Sequence, residues 1–183
     1  MGLEFPIPED LVELILEGER IVWVGRSAFK PFILKNLAGL IIPVVFLLIP
    51  IPLIGVLYGP PYVNLFILLF LLLWYCAVGF SLFNFSVYPI LLWRNLYYVL
   101  TDRRIIVRKG VIGIDYDILD LEYVQQVNLE RGIWDRVYGT GTIVVQAIGV
   151  KPIEMYSVQD PFKSIDILKK TVENVRSSKT PRI

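Results

Sequence analysis

Histidine is missing from this chain, and cysteine occurs once, at Cys76. Without histidine there is no usual general base, no usual activator of a serine or cysteine nucleophile, and no member of the commonest class of zinc ligand. A single cysteine makes neither an intrachain disulfide nor a cysteine-rich metal site. Charge is missing locally: from Asn36 through Trp93 there is no Asp, Glu, Lys or Arg. One hydrocarbon core takes about 20 apolar residues of helix, so this run is far too long for one span and fits two. The overall 55% hydrophobic content and mean hydropathy of +0.61 agree. The sequence therefore reads as an integral membrane protein.

The spans are expected at about residues 31–57 and 62–88, inside a membrane segment of residues 31–93. Pro43, Pro50 and Pro52 in the first span each remove a backbone donor, which predicts a kink or broken last turn. The freed carbonyls then need partners in the neighbouring helix. Either a bent anchor or a re-entrant, substrate-lining break fits, but transport sites usually carry an ionisable residue and none is present. Tyr58-Gly59-Pro60-Pro61-Tyr62 reads as a turn flanked by tyrosines at interface depth. The second helix is expected to reach at least Phe83 and to be able to continue through Pro89 to Trp93. Asn64, Ser81, Asn84 and Ser86 are expected to bond to backbone or to the first helix.

Residues 1–30 read as a cytoplasmic N-terminal amphipathic or interfacial segment. Glu9 and Asp10 open a short helix carrying Leu11, Leu14 and Ile15, and Gly18 stops it. Glu19–Ser27 is a strand or interfacial piece that Gly25 is expected to break. Trp23, Phe29 and Phe32 among Arg20, Arg26, Lys30 and Lys35 suit a membrane surface. This acidic beginning lacks the pattern of a cleaved signal, so the first span is expected to stay as an anchor. The connecting turn has no Lys or Arg, whereas Arg26, Lys30 and Lys35 precede the first span and Arg94, Arg103 and Arg104 follow the second. The positive-inside rule then gives a multi-pass protein of the plasma membrane with both termini cytoplasmic.

Beyond residue 94 the periodicity changes to two. Leu96–Thr101 and Arg104–Lys109 read as strands joined by a two-residue turn at Asp102-Arg103. Residues 119–130 alternate apolar and polar, too long for one strand, with a bend or bulge expected near Gln125-Gln126. Thr142–Ile148 and Glu154–Val158 add two more strands. Asp160-Pro161 then opens an amphipathic helix with Ile165, Leu168, Val172 and Val175 on one stripe. Antiparallel strands closed by one helix indicate a small, strongly bent sheet or barrel.

The order of YVLTDRRI (98–105), KGVI (109–112), DLEYV (120–124), YGTGTI (138–143) and Asp160-Pro161 resembles the bacterial pleckstrin-homology (PH) domain family, and in particular its membrane-anchored class with two transmembrane helices before the domain. The resemblance covers roughly residues 94–175. It implies an α+β PH-like barrel of antiparallel strands capped by the C-terminal helix, here assigned to residues 94–176 with a tail at 177–183. It does not imply an enzyme.

Two candidate surfaces stand out. If the barrel buries Ile105 and Val107, then Arg104 and Arg108 point outward beside Arg103, within reach of anionic headgroups; a solvated turn paired to carboxylates such as Asp115, Asp117 or Asp120 is the reading preferred from sequence. In the second, Ile133, Trp134, Val137 and Tyr138 form an apolar stripe on a short helix flanked by Arg131 and Arg136. That stripe either dips into the headgroup region or plugs an open end of the barrel, the reading preferred from sequence. The acidic residues Asp115, Asp117, Asp120 and Glu122 alternate faces at strand spacing and make a weak case for a metal. Gly139-Thr140-Gly141 lacks the helix and lysine of a phosphate loop.

The expected function is a membrane-anchored, non-enzymatic binding module with no catalytic, cofactor or metal site. Its expected partners are the lipid bilayer and an unidentified protein, self-association included, and not nucleic acid. Anionic lipid-headgroup binding and membership of a transport or envelope-stress membrane complex are the alternatives.

Overall fold

A computed structural model describes residues 7–51 and 61–179. The chain divides into two compact units, residues 1–32 with 92–183, and residues 33–91.

The second unit is helical. The first apolar helix begins as α2 (Phe29–Leu37), tightens into a 3₁₀ turn at Ala38–Leu40, and resumes as α3 (Ile41–Leu48). The tight turn contains Gly39, the residue whose carbonyl a helical Pro43 leaves without its partner and presses against. The helix tightens at the place where the expected kink would fall, and its backbone stays right-handed helical on both sides. Residues 52–60, which hold Pro52, most of the connecting turn and the expected end of the first span, lie outside the described residues. The next helix, α4 (Pro61–Arg94), runs unbroken through Pro89, the longer of the two extents expected for it. Phe29–Leu48 and Leu65–Arg94 are long and apolar enough to cross a membrane.

Inside this unit the proline deficit is met by a side chain. Pro50 has no N–H to return to the Phe46 carbonyl four residues earlier; the Trp74 indole Nε1 donates to that carbonyl instead, at 3.0 Å. Its ring also stacks on Phe46, 5.6 Å between centroids with 8° between planes. Asn84 Nδ2 donates to the Phe80 carbonyl at 2.8 Å and Ser86 Oγ to that of Leu82 at 2.6 Å, so both polar groups bond to backbone as expected.

The first unit holds two antiparallel sheets. One runs β1 (Ile21–Arg26), β2 (Tyr97–Thr101), β3 (Arg104–Lys109), β4 (Asp115–Asp120); the other runs β5 (Val124–Glu130), β6 (Thr140–Ala147), β7 (Ile153–Gln159). An isolated bridge, Ser27 to Val158, joins the two sheets. The helix α6 (Pro161–Lys179) lays Leu168 and Val172 against the core, the stripe its sequence pattern predicts. Tyr98 and Leu100 with their cross-strand partners Val107 and Ile105 are buried together with Ile143, Met155 and Leu168.

Several expectations change here. The described part of the expected N-terminal segment, residues 7–30, is not a separate interfacial piece: Val24 pairs with Val99 and Arg26 with Tyr97, so the strand ahead of the apolar helices completes the sheet that follows them. Gly25 does not break that strand. It gives room to Trp23, because a Cβ there would fall 2.1 Å from the indole. Trp23 is accordingly not a surface aromatic; it stands with Leu100, Ile105 and Met155 around the core.

The 119–130 alternation is not one strand. A 3₁₀ turn at Leu121–Tyr123 separates β4 from β5 and shifts the phase, leaving Val124 buried and Tyr123 exposed. The expected irregularity near Gln125 is present as well, in a register shift between Val124 and Gln126.

The largest departure concerns β3, which is buried on both faces. The short helix α1 (Glu9–Glu13) covers the outer face, packing the fully buried Leu11 against Val99 and Ile106. Removing such a side chain from water contributes about 1.5–3 kcal/mol.

Candidate functional site

The turn between β2 and β3 is built by Thr101, whose hydroxyl accepts the N–H groups of Arg103 (3.2 Å) and Arg104 (2.9 Å) and donates to the Arg104 carbonyl (3.1 Å). Arg103 is exposed at its tip. The other two arginines do lie on the outer face, as strand parity requires, but they are not free there. Arg104 Nε meets Glu19 Oε1 at 2.8 Å, a charge contact without the alignment of a hydrogen bond, and Asp120 at 3.8 Å. Arg108 is only 9% exposed. Its Nε donates to Asp10 Oδ2 at 2.7 Å, its Nη1 to the Asn95 carbonyl at 3.3 Å, and its guanidinium lies 5.8 Å from the centre of the Tyr97 ring. The Tyr116 hydroxyl donates to the same Asp10 oxygen.

Burial opposes ionisation of Asp10, but the hydrogen bonds from Tyr116 and Arg108 and the guanidinium charge outweigh it and hold the carboxyl below its usual value. The parity expected for Arg108 holds, but the expectation that it is open to headgroups is corrected, because α1 supplies a carboxylate and covers that face. Lys109 pairs with Asp117. Among the described residues no three His, Cys, Asp or Glu groups converge as metal ligands.

The second surface is α5 (Ile133–Tyr138). Gly132 stands at its N-cap in extended backbone, and the Asp135 carboxylate reaches back to accept the Gly132 N–H at 3.1 Å. Gly139, left-handed at φ 69°, ends the helix and returns its N–H to the Asp135 carbonyl. Asp135 is fully buried. Its Oδ1 also accepts from Thr140 Oγ1 at 2.8 Å and Ser157 Oγ at 3.2 Å. Arg131 straps the helix from outside, donating to the Thr140 carbonyl at 3.0 Å and the Asp135 carbonyl at 3.4 Å.

The helix is thus held by its polar side, and the plug reading fails. Ile133 is 80% and Val137 67% exposed, with Trp134 and Tyr138 exposed beside them and Arg136 between. A carboxylate collecting three hydrogen bonds inside the domain leaves the apolar stripe on the opposite side. Asp135 passed unnoticed in the sequence, although an acid three residues after a helix-starting glycine is a capping signal. Thr140 and Ser157 carry no local signal at all.

Ser157 connects this helix to the start of the apolar run. It sits in a β-bulge, where Tyr156 and Ser157 oppose Thr142 and Ser157 takes a left-handed backbone (φ 45°). Its carbonyl accepts the Ala28 N–H at 2.9 Å, immediately before α2 begins. The Tyr98 hydroxyl clamps the same bulge, accepting from Tyr156 N at 2.8 Å and donating to Tyr156 O at 3.3 Å. Around Ala28, Trp93 Nε1 donates to the Ser27 carbonyl at 2.7 Å, Phe29 packs edge-on to Trp93 at 4.8 Å, and the Arg26 guanidinium lies 4.2 Å from the centre of the Trp93 ring. Aromatic and basic side chains therefore ring the point where the chain enters and leaves its apolar segment, with Trp93 in the place expected of Trp23. Phe32, also expected at the surface, is buried and faces Tyr156 at 6.0 Å.

Two antiparallel sheets of four and three strands, closed by one C-terminal helix, define a PH-like domain. A family model described as bacterial PH domain matches residues 29–176, and the chain belongs to that family. No curated protein and no solved structure matches it. The match begins after β1 and takes in the apolar helices as well as the strands and helix that follow them. Domains of this family are binding modules.

Proposed function

We propose that the chain is a membrane-anchored, non-enzymatic binding module. Its two apolar helices cross the plasma membrane as a hairpin, both termini are cytoplasmic, and the PH-like domain faces a protein partner or the inner membrane surface. The pairing of β1 with β2 carries this reading. Arg26 and Tyr97 are direct partners, yet one precedes the apolar run and the other follows it. A chain that leaves and rejoins a single sheet must cross a bilayer an even number of times, and the described lengths allow two. The uncharged connecting turn and the arginines and lysines on both flanks give the direction. The Trp74 bond to the Phe46 carbonyl favours a bent anchor over a substrate-lining break, because the carbonyl that Pro50 frees is answered within the helix pair.

Substituted-cysteine labelling tests the arrangement. In a Cys76→Ser background, Gly59→Cys is expected to react with an impermeant maleimide on intact cells, and Arg103→Cys only after permeabilisation. Equal reactivity of the two on intact cells would refute the hairpin.

A further inference from the structure

Resting on the membrane-anchored reading above, we infer that α5 is a membrane-lying helix: its Ile133–Trp134–Val137–Tyr138 stripe is immersed in the headgroup boundary of the same bilayer that the apolar helices cross. Three observations converge. The stripe is exposed because the polar side of α5 is committed to the domain through Asp135. Short hydrogen bonds then run from Asp135 to Ser157 and from Ser157 to Ala28, so α5 is fixed beside the residue that precedes α2. At that level Phe29, Trp93, Arg26 and Lys30 already have the composition of an interfacial belt.

The chemistry of the surface suits a headgroup boundary better than a protein groove. Trp134 and Tyr138 each combine an apolar ring with a polar tip, and Arg131 lies 5.5 Å from the ring centre of the exposed Phe162 at the start of α6. The only carboxylate on α5 is buried and adds no exposed negative charge. In the chain the helix is flanked by Glu130 and Arg131 and carries Arg136, a small positive balance outside the buried Asp135. Immersion is therefore driven by the apolar stripe and depends little on lipid charge. The domain is held at a second point, which fixes its tilt and selects which of its faces a partner meets.

Nitroxide accessibility of the full chain, one copy per nanodisc of phosphatidylcholine with phosphatidylglycerol, tests this. A label on the natural Cys76 reports the anchor. In the Cys76→Ser background, labels at Val137→Cys and, independently, Ile133→Cys report α5, and Val150→Cys, exposed on the β6–β7 turn at the far end of β6 from α5, serves as the aqueous reference. We expect the α5 labels to meet oxygen several-fold more, and a nickel chelate several-fold less, than the reference, with the same ratio in pure phosphatidylcholine.

Labels at 133 and 137 as aqueous as that at 150, with Cys76 in lipid, would overturn the inference while leaving the anchor standing. An aqueous Cys76 would remove the anchored reading itself. Labels shielded from both reagents would mean that protein covers the stripe, which also overturns the inference.

Discussion

Replacing Trp74 with phenylalanine isolates the bond that repairs the first apolar helix. The Phe46–Trp74 ring stack is retained in form, while the indole N–H that reaches the Phe46 carbonyl at 3.0 Å is lost. That carbonyl has no backbone donor at position 50, and with the helix pair in hydrocarbon, as proposed, no water replaces one. Measured side-chain hydrogen bonds between membrane helices contribute about 0.6 kcal/mol on average and up to about 1.7. A carbonyl left with no alternative belongs at the upper end, so Trp74→Phe should cost about 1–2 kcal/mol. Pro50→Ala supplies an N–H that can close onto the same carbonyl. In that background Trp74→Phe should cost no more than about 0.5 kcal/mol, a coupling of roughly 1 kcal/mol between residues 50 and 74. Unfolding of the purified full chain in mild detergent, followed by circular dichroism over an SDS titration, gives all four corners of the cycle. Equal costs of Trp74→Phe in the two backgrounds would show that the indole N–H is not compensating for Pro50.

The bonds that hold the Asp10 carboxyl below its ordinary value contribute stability that is complete above the unfolded carboxylate range, near pH 4, and is lost as pH falls through the lower folded value. Thermal melting of the chain against pH should show this loss, and Asp10→Asn should remove part of it. Asp10→Ala, which leaves the buried Arg108 without its carboxylate, should cost about 2 kcal/mol at neutral pH, and an unchanged melting temperature would contradict the latch. Asp135→Ala removes three hydrogen bonds from inside the domain and should cost about 3 kcal/mol, with faster tryptic cleavage at Arg131 and Arg136 as α5 loosens. Unaltered cleavage would mean that α5 is held by other contacts.

The sequence by itself determined the two apolar helices, the turn at Asp102-Arg103, the buried stripe of α6 and the PH-like class. Each is written in local signals: an uncharged run, a change of period from 3.6 to 2, a helix cap, a fixed order of short motifs. The tertiary structure alone decided which polar groups are occupied. Arg108 sits on the outward parity of β3, but whether that parity meets water depends on α1, nearly a hundred residues earlier, which brings Leu11 and Asp10 onto it. The α5 stripe looks like a plug from its periodicity. The direction it faces was settled by where Asp135 finds Thr140 and Ser157, the latter held in place by a bulge on another strand.

The joining of β1 to β2 across the apolar helices is likewise invisible in either strand's own residues. Periodicity specifies which side chains share a face. What covers that face is a long-range contact, and long-range contacts exist only once the chain has folded.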